Sequence, residues 1–144
     1  MHSITLARTA GVCILLICTL AWGCPDQTQV IEAKLPGGYR LSGSSDRHNF
    51  VVLNQHTNEV VVPRRSGHVV SAADATVTRI AILEEIVVGA ISALPPRGVD
   101  KYFIMDTRTS ELKDGLNLDE LKQDLERRGC HGIIEWQLPS AICR

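Results

Sequence analysis

The sequence predicts an α+β protein that is mostly β. The expected fold is an antiparallel β-meander sheet, built from two similar strand–turn–strand units and covered by one C-terminal amphipathic helix. Three observations carry this prediction. One pattern of apolar and turn-forming residues occurs twice along the chain, β-branched residues dominate the segments between turns, and one leucine-bearing segment has helical spacing and caps.

The repeat is clearest between the segments that start at Phe50 and at Tyr102, which lie 52 residues apart. In both, an aromatic residue and three apolar residues are followed by Asn or Asp, and then by Thr, Glu and an aliphatic residue. The side-chain oxygens of Asn54 and Asp106 are placed to accept backbone N–H groups two residues on, which starts a turn. Each copy therefore predicts a β-hairpin.

A further strand is expected before each hairpin, at residues 39–43 in the first copy and 86–90 in the second, which completes a meander. A helix over Thr78–Ile91 is the competing prediction, because the aliphatic residues there also recur at helical spacing. The β-branched content favours two strands, with Glu84-Glu85 as the turn between them.

A helix is predicted near residues 118–128. Asn117 and Glu120 have the spacing of a capping box, and Gly129 is a usual residue for ending a helix. One face carries Leu118, Leu121 and Leu125. Because so short a helix is marginal alone, its leucine face is expected to cover the sheet.

Residues 1–23 predict a signal peptide for export. Arg8 gives the start a positive charge, and the fourteen residues Ala10–Gly23 carry none. As a helix they reach about 21 Å, against about 30 Å for the hydrocarbon core, so a permanent anchor is the weaker alternative. Residues 24–36 are predicted as a tether with a candidate strand at its end, and residues 37–144 as a single β-rich domain.

Leu20-Ala21-Trp22-Gly23-Cys24 resembles the bacterial lipobox, in which a Cys after a small residue is acylated and becomes the mature N-terminus. Trp22 departs from that pattern. The prediction is lipidation at Cys24, which would attach the chain to a membrane. The alternative is a soluble secreted protein, cut at the same bond by an ordinary signal peptidase.

Three cysteines remain after the predicted cleavage: Cys24, Cys130 and Cys143. An odd number is a liability in an oxidising compartment. With Cys24 lipidated, a disulfide between Cys130 and Cys143 is expected, and its loop of 14 residues would contribute about 3 kcal/mol. Two unpaired thiols are the alternative.

Taken together, these features resemble a family of small bacterial envelope lipoproteins that carry a domain of unknown function. The matching motifs are the Cys-terminated signal, Leu35–Tyr39, Tyr102–Thr109 followed by Glu111, and Gly115-Leu116 before the leucine-rich helix. The chain departs from the family at Trp22, at Ser110 where Gly is usual, and in the Cys130/Cys143 tail. The resemblance implies an envelope location and brings no catalytic or ligand residues with it.

Two catalytic sets can be assembled from the sequence, and neither has a supporting motif. Ser71 with His68 and Asp74 lacks a nucleophile elbow, and Cys130 with His131 are adjacent residues that an extended chain points to opposite faces. The histidines also lack metal-ligand spacing. The sequence therefore predicts no enzyme, no metal and no cofactor.

Composition narrows the function classes further. A net charge of −1 and 22% charged residues exclude a strongly basic nucleic-acid surface. The leading prediction is a non-enzymatic, lipid-anchored envelope protein that offers an edge strand or a sheet face to an envelope partner. The alternatives are a periplasmic small-ligand binder with a pocket between sheet and helix, and a small secreted hydrolase.

Overall fold

A computed structural model describes residues 29–44, 49–65, 68–69, 74–93 and 100–143, with the backbone alone at 65, 68 and 69. The strands are β1 (Val30–Leu35), β2 (Tyr39–Ser44), β3 (Asn49–Asn54), β4 (Val60–Val62), β5 (Arg64–Arg65), β6 (His68–Val69), β7 (Ala75–Leu83), β8 (Ile86–Ala93), β9 (Lys101–Asp106) and β10 (Glu111–Leu116). The helices are α1 (Leu118–Arg127) and α2 (Pro139–Ile142). The predicted signal and Cys24 lie outside the described residues.

The two predicted units form two four-stranded antiparallel sheets. The first sheet has the order β1-β2-β3-β4 and the second sheet the order β10-β9-β8-β7, while β5 and β6 form a small ribbon. Strands that are neighbours in each large sheet are also neighbours in the chain, as in a meander. The mostly β fold class is thus confirmed, and residues 78–91 form strands, with the turn at Glu84-Glu85 between them.

The repeat seen in the sequence is also a repeat of register. Tyr39 pairs with Asn54 in the first sheet, and Ile86 pairs with Asp106 in the second. The turns match as well, because the N–H of Gln55 donates to the Gly38 carbonyl at 2.8 Å and the N–H of Thr107 donates to the Glu85 carbonyl at 2.9 Å. Each meander therefore has the same backbone plan.

An inner cluster of apolar side chains joins the two sheets. The first sheet contributes Leu35, Leu41, Phe50, Val52 and Val62, and the second contributes Val77, Ile80, Val87, Phe103 and Met105. A helix-side cluster lies on the other face of the second sheet and contains Ala81, Val88, Tyr102 and Ile104 with Leu121 and Leu125 of α1. The described residues therefore form three layers, in which α1 covers the second sheet and not the first.

Equivalent positions of the two meanders lie in different layers. Val52 belongs to the inner cluster, whereas its counterpart Ile104 belongs to the helix-side cluster. Phe103 belongs to the inner cluster, whereas its counterpart Val51 lies on the outer face of the first sheet. The two units are therefore stacked head to tail, with the same face of each pointing in the same direction.

At the start of the domain, the candidate strand at the end of the segment 24–36 is present as Val30–Leu35. It pairs with β2 along its whole length, so the predicted tether joins the sheet from Val30 onward. Beyond α1, the described chain pairs with β7 at a single bridge, between Gln137 and Ile80. The predicted helix is present with its Asn117 capping box, and Leu121 and Leu125 pack against the sheet as expected, whereas Leu118 is 39% exposed and does not.

Candidate functional site

Three of the four edge strands in the described large sheets are protected against pairing. β4 has three residues, a register shift against β3, and Pro63 after it. β10 has a register shift between Lys113 and Leu116. β7 also has a register shift, and its Ile80 exchanges backbone hydrogen bonds with Gln137 at 3.0 and 2.9 Å. Bulges, prolines and covering segments are the usual ways to prevent a sheet edge from recruiting another strand.

The fourth edge, β1, has none of these devices among the described residues. Its six residues pair with β2 in an unbroken register, from Val30 opposite Ser44 to Leu35 opposite Tyr39. In an antiparallel edge strand, every second residue turns its N–H and C=O away from the sheet. β1 therefore presents a regular row of backbone donors and acceptors, and we treat this edge as the candidate site.

The side chains of β1 alternate between the two faces of the first sheet. Ile31, Ala33 and Leu35 contact the inner cluster. Val30, with 64% of its surface exposed, and the exposed residues Glu32 and Lys34 lie on the outer face. An added strand could thus meet an apolar row on one side and a charged row on the other.

The charges of β1 are unequally compensated within the sheet. The Oε2 atom of Glu32 lies 3.3 Å from Nη1 of Arg40, and its Oε1 atom accepts a hydrogen bond from Ser42 at 3.1 Å. Lys34 stands directly opposite Arg40 in the register and has no ion pair with the described residues. Like charges at opposite positions are unfavourable. A carboxylate on an added strand would therefore be attracted to Lys34.

A second candidate site is a groove between α1, the turn at Leu83-Glu84 and the chain after the helix. The groove encloses about 820 Å³ and is lined by apolar side chains together with a few charged ones. Its apolar rim is well exposed, with Ile133 at 92% and Leu118 at 39% of their surface accessible. Lys122 and Glu126 supply charge at one wall. Such a shape suits an apolar small molecule with a polar end.

An ion-pair network fixes the helix that forms this groove. Asp124 is buried and lies 2.7 Å from Nζ of Lys113 and 2.9 Å from Nε of Arg128. Burial alone raises the pKa of Asp124, but the hydrogen bonds from Lys113 and Arg128 outweigh it and hold the pKa below its ordinary value. Arg128 also reaches Glu111 of β10 at 3.1 Å, which ties the end of α1 to the sheet.

The structure does not bring the predicted disulfide together. Cys130 and Cys143 are both free thiols. Cys130 is half-buried beside the helix-side cluster, whereas Cys143 lies in the inner cluster, with its Sγ atom 3.9 Å from the Leu41 carbonyl oxygen. Between them the chain pairs with the edge strand β7 at Gln137, and the two cysteines lie beside clusters on opposite faces of the second sheet.

The structure describes the two catalytic sets only in part. Cys130 and His131 are adjacent, with His131 exposed, and no described hydrogen bond joins their side chains. Asp74 is exposed where β7 begins, the backbone of His68 lies in β6, and Ser71 lies outside the described residues. Within the described ranges, no group of three or more His, Cys, Asp or Glu could hold a metal ion.

The sequence predicted the kind of both candidate sites, an edge strand and a pocket between sheet and helix, but not the residues that form them. A candidate strand was placed at the end of the segment 24–36, although the charged Glu32 and Lys34 gave that segment the composition of a tether. The lining of the groove had no signal, because it comes from segments that meet only in the fold. In the part of the chain that the structure describes, no helix is long and apolar enough to cross a bilayer.

Comparisons with protein-family models, with curated proteins and with solved structures found no match for this chain. The resemblance to envelope lipoproteins therefore stays a prediction from the sequence. The function has to be argued from the two candidate sites themselves.

Proposed function

We propose that the protein is a non-enzymatic cell-envelope protein, anchored by lipid on Cys24, that binds another polypeptide at the edge of β1. The single observation that carries the binding proposal is the regular β1 edge, which stands beside three protected edges. The anchor is proposed from the export signal and the lipobox-like residues before Cys24. β1 begins six residues after Cys24, so the proposed contact lies close to the membrane.

Strand addition explains how such an edge would bind. An added strand forms main-chain hydrogen bonds with the exposed edge, which supply affinity without requiring a particular sequence. Specificity comes from the alternating side chains, here the apolar row at Ile31 and Ala33 and the charged row at Glu32 and Lys34. A partner strand with the opposite charge order and small apolar residues between would fit this pattern.

Site-specific photo-crosslinking in the cell envelope tests the binding site. A photoreactive residue replaces Lys34 in the full chain, and in a matched variant it replaces Lys122, an exposed lysine of α1. We expect a discrete crosslinked adduct from position 34 that position 122 does not give. Equal adducts from both positions, or none from position 34, would contradict the proposal. Separately, Cys24→Ser should move the chain from the membrane fraction to the soluble fraction.

The groove beside α1 favours a second candidate function, the binding of a small apolar ligand outside the cytoplasm. A medium-chain fatty acid is a suitable probe, with glycerol as the polar control. A ligand at 100 times its Kd adds about 2.7 kcal/mol to stability, which a thermal melt detects. Leu118→Glu makes the groove polar at an exposed position of the first helical turn, where a carboxylate is tolerated. This substitution should abolish the shift, and an unchanged shift would place the ligand elsewhere.

A further inference from the structure

We infer that the strand that pairs with β1 is β1 of a second copy of this chain, in an antiparallel arrangement centred on Ala33. This inference rests on the proposed function, because it names the partner of the same edge. The order of charged and apolar residues along β1 and the register of β1 with β2 favour this pairing.

The charges of β1 are complementary to themselves about Ala33. In an antiparallel pairing with Ala33 opposite Ala33, Glu32 of each copy stands opposite Lys34 of the other. Two opposite-charge pairs form on the outer face, where both residues are exposed in the single chain. Each Lys34, which faces Arg40 on one side, gains a carboxylate on its other side. The pairing thus gives Lys34 the carboxylate partner that it lacks among the described residues of the single chain.

The inner face of β1 is equally suited to this pairing. Ile31 of each copy stands opposite Leu35 of the other, and the small Ala33 side chains meet at the two-fold axis. All three residues contact the inner cluster of their own chain. The pairing would therefore join two inner clusters across one continuous sheet, and would shield apolar surface at the strand edge.

Other registers of the same two strands are disfavoured. A shift of two residues puts Glu32 opposite Glu32 in one direction and Lys34 opposite Lys34 in the other. A shift of one residue sets the apolar row of one copy against the charged row of the other. The favoured arrangement is a closed two-fold pairing, which uses both β1 edges and leaves neither free for a third chain.

A charge-swap experiment tests this inference with the full chain. Two differently tagged copies are produced in the same cell, and we measure how much of one is retrieved with the other. Wild-type copies should retrieve each other. Lys34→Glu in both copies should lower retrieval about tenfold, because two attractive pairs become repulsive. This variant should still fold, since Glu at position 34 faces Arg40 within the sheet.

The combined variant Glu32→Lys/Lys34→Glu gives the sharper result. Copies that both carry the swap regain the charge pairs and should retrieve each other, whereas a swapped copy and a wild-type copy should not. Misfolding cannot produce this pattern. Lys101→Glu, at an exposed lysine of β9 outside both candidate sites, is the matched control and should leave retrieval unchanged. A swapped copy that retrieves the wild type as well as itself would overturn the inference.

The outcomes also separate this inference from the proposed function. If wild-type copies do not retrieve each other while position 34 still gives a crosslinked adduct of another mass, the second-copy inference fails and the edge-binding function stands. If neither retrieval nor an adduct is seen, both fail. An adduct from position 34 with twice the mass of the chain, together with the charge-swap pattern, supports both.

Discussion

The two meanders share their turns and differ in what covers them. In both turns an Asx side chain accepts two backbone N–H groups: Asn54 from His56 and Thr57, at 2.9 and 3.2 Å, and Asp106 from Arg108 and Thr109, at 3.0 and 3.1 Å. The residue four positions after each is left-handed, with φ of 58° at Asn58 and 60° at Ser110. Local hydrogen bonds thus specify each unit.

The side chains on the faces of each sheet determine whether that sheet lies inside the stack or at its end. On the face of the second sheet that meets the inner cluster, Ile80, Val87 and Phe103 are fully buried. The corresponding face of the first sheet carries Glu32, Arg40 and Val51. Charges on this outer face give the stack a polar end, as in the terminal units of repeat proteins. The same hydrogen-bonded turn therefore occurs in a meander with one buried face and in a meander with two.

The largest expected effect comes from replacing equivalent residues in the two layers. Phe103→Ala removes a ring that is fully buried between the sheets and should cost about 3–5 kcal/mol of stability. Val51→Ala, at the matching position on the outer face, removes a smaller side chain that is 9% exposed and should cost about 1–2 kcal/mol. Urea unfolding of both variants measures the difference. Equal losses would contradict the head-to-tail arrangement.

The next effect concerns the helix, which only the second meander has. Asp124→Asn removes the charge that binds Lys113 and Arg128, whose side chains are 41% and 18% exposed. We expect a loss of about 1–3 kcal/mol near pH 7, between the values of exposed and fully buried pairs. Glu126→Gln, on an exposed part of the helix, is the control.

The same variant has a pH signature. The folded pKa of Asp124 is lowered, so its stabilisation is present above the ordinary value of 3.8 and is lost as pH falls through the folded pKa. The difference between the wild type and Asp124→Asn should therefore shrink in acid. A difference that grows as pH falls would show that the ion pairs do not stabilise α1.

A smaller effect is expected from exchanging the left-handed turn residues. Ser tolerates a positive φ less well than Asn, so Ser110→Asn should stabilise the second turn by about 0.5–1 kcal/mol. Asn58→Ser should destabilise the first turn by a similar amount. It also removes the hydrogen bond from Arg40 to the Asn58 side chain at 2.6 Å, so the loss should be slightly the larger. Thermal melts compare the two variants.

The smallest effect is the acid sensitivity of the turns. The backbone N–H of Thr109 is the main cause that lowers the pKa of Asp106, whose contribution is therefore present above the ordinary value of 3.8 and lost as pH falls through the folded pKa. Asp106→Asn should remove this pH dependence, and Asn54→Asp should introduce it in the first turn. Acid unfolding followed by circular dichroism checks both variants. If the wild type and both variants unfold at the same pH, the prediction is contradicted.

What could be predicted from the sequence was what short-range bonds fix. The side chains of Asn54, Asp106 and Asn117 each accept hydrogen bonds from backbone N–H groups within three residues. The two turns and the start of the helix could therefore be predicted from the sequence. The division into two sheets could not be predicted in this way, because it depends on which apolar face of one meander packs against the other meander. The separation of Cys130 from Cys143 was hidden for the same reason, since spacing does not show that the two lie beside different clusters.

The position of Cys143 determines when the inner cluster can be completed during synthesis of the chain. Its sulfur lies against the carbonyl oxygen of Leu41, 102 positions earlier in the chain. Since chains are made at about 5–20 residues per second, that gap corresponds to roughly 5–20 s. The second sheet, which ends at Leu116, is made within that interval and covers most of the apolar face of the first. The inner cluster is completed last, when Cys143 reaches the carbonyl of Leu41.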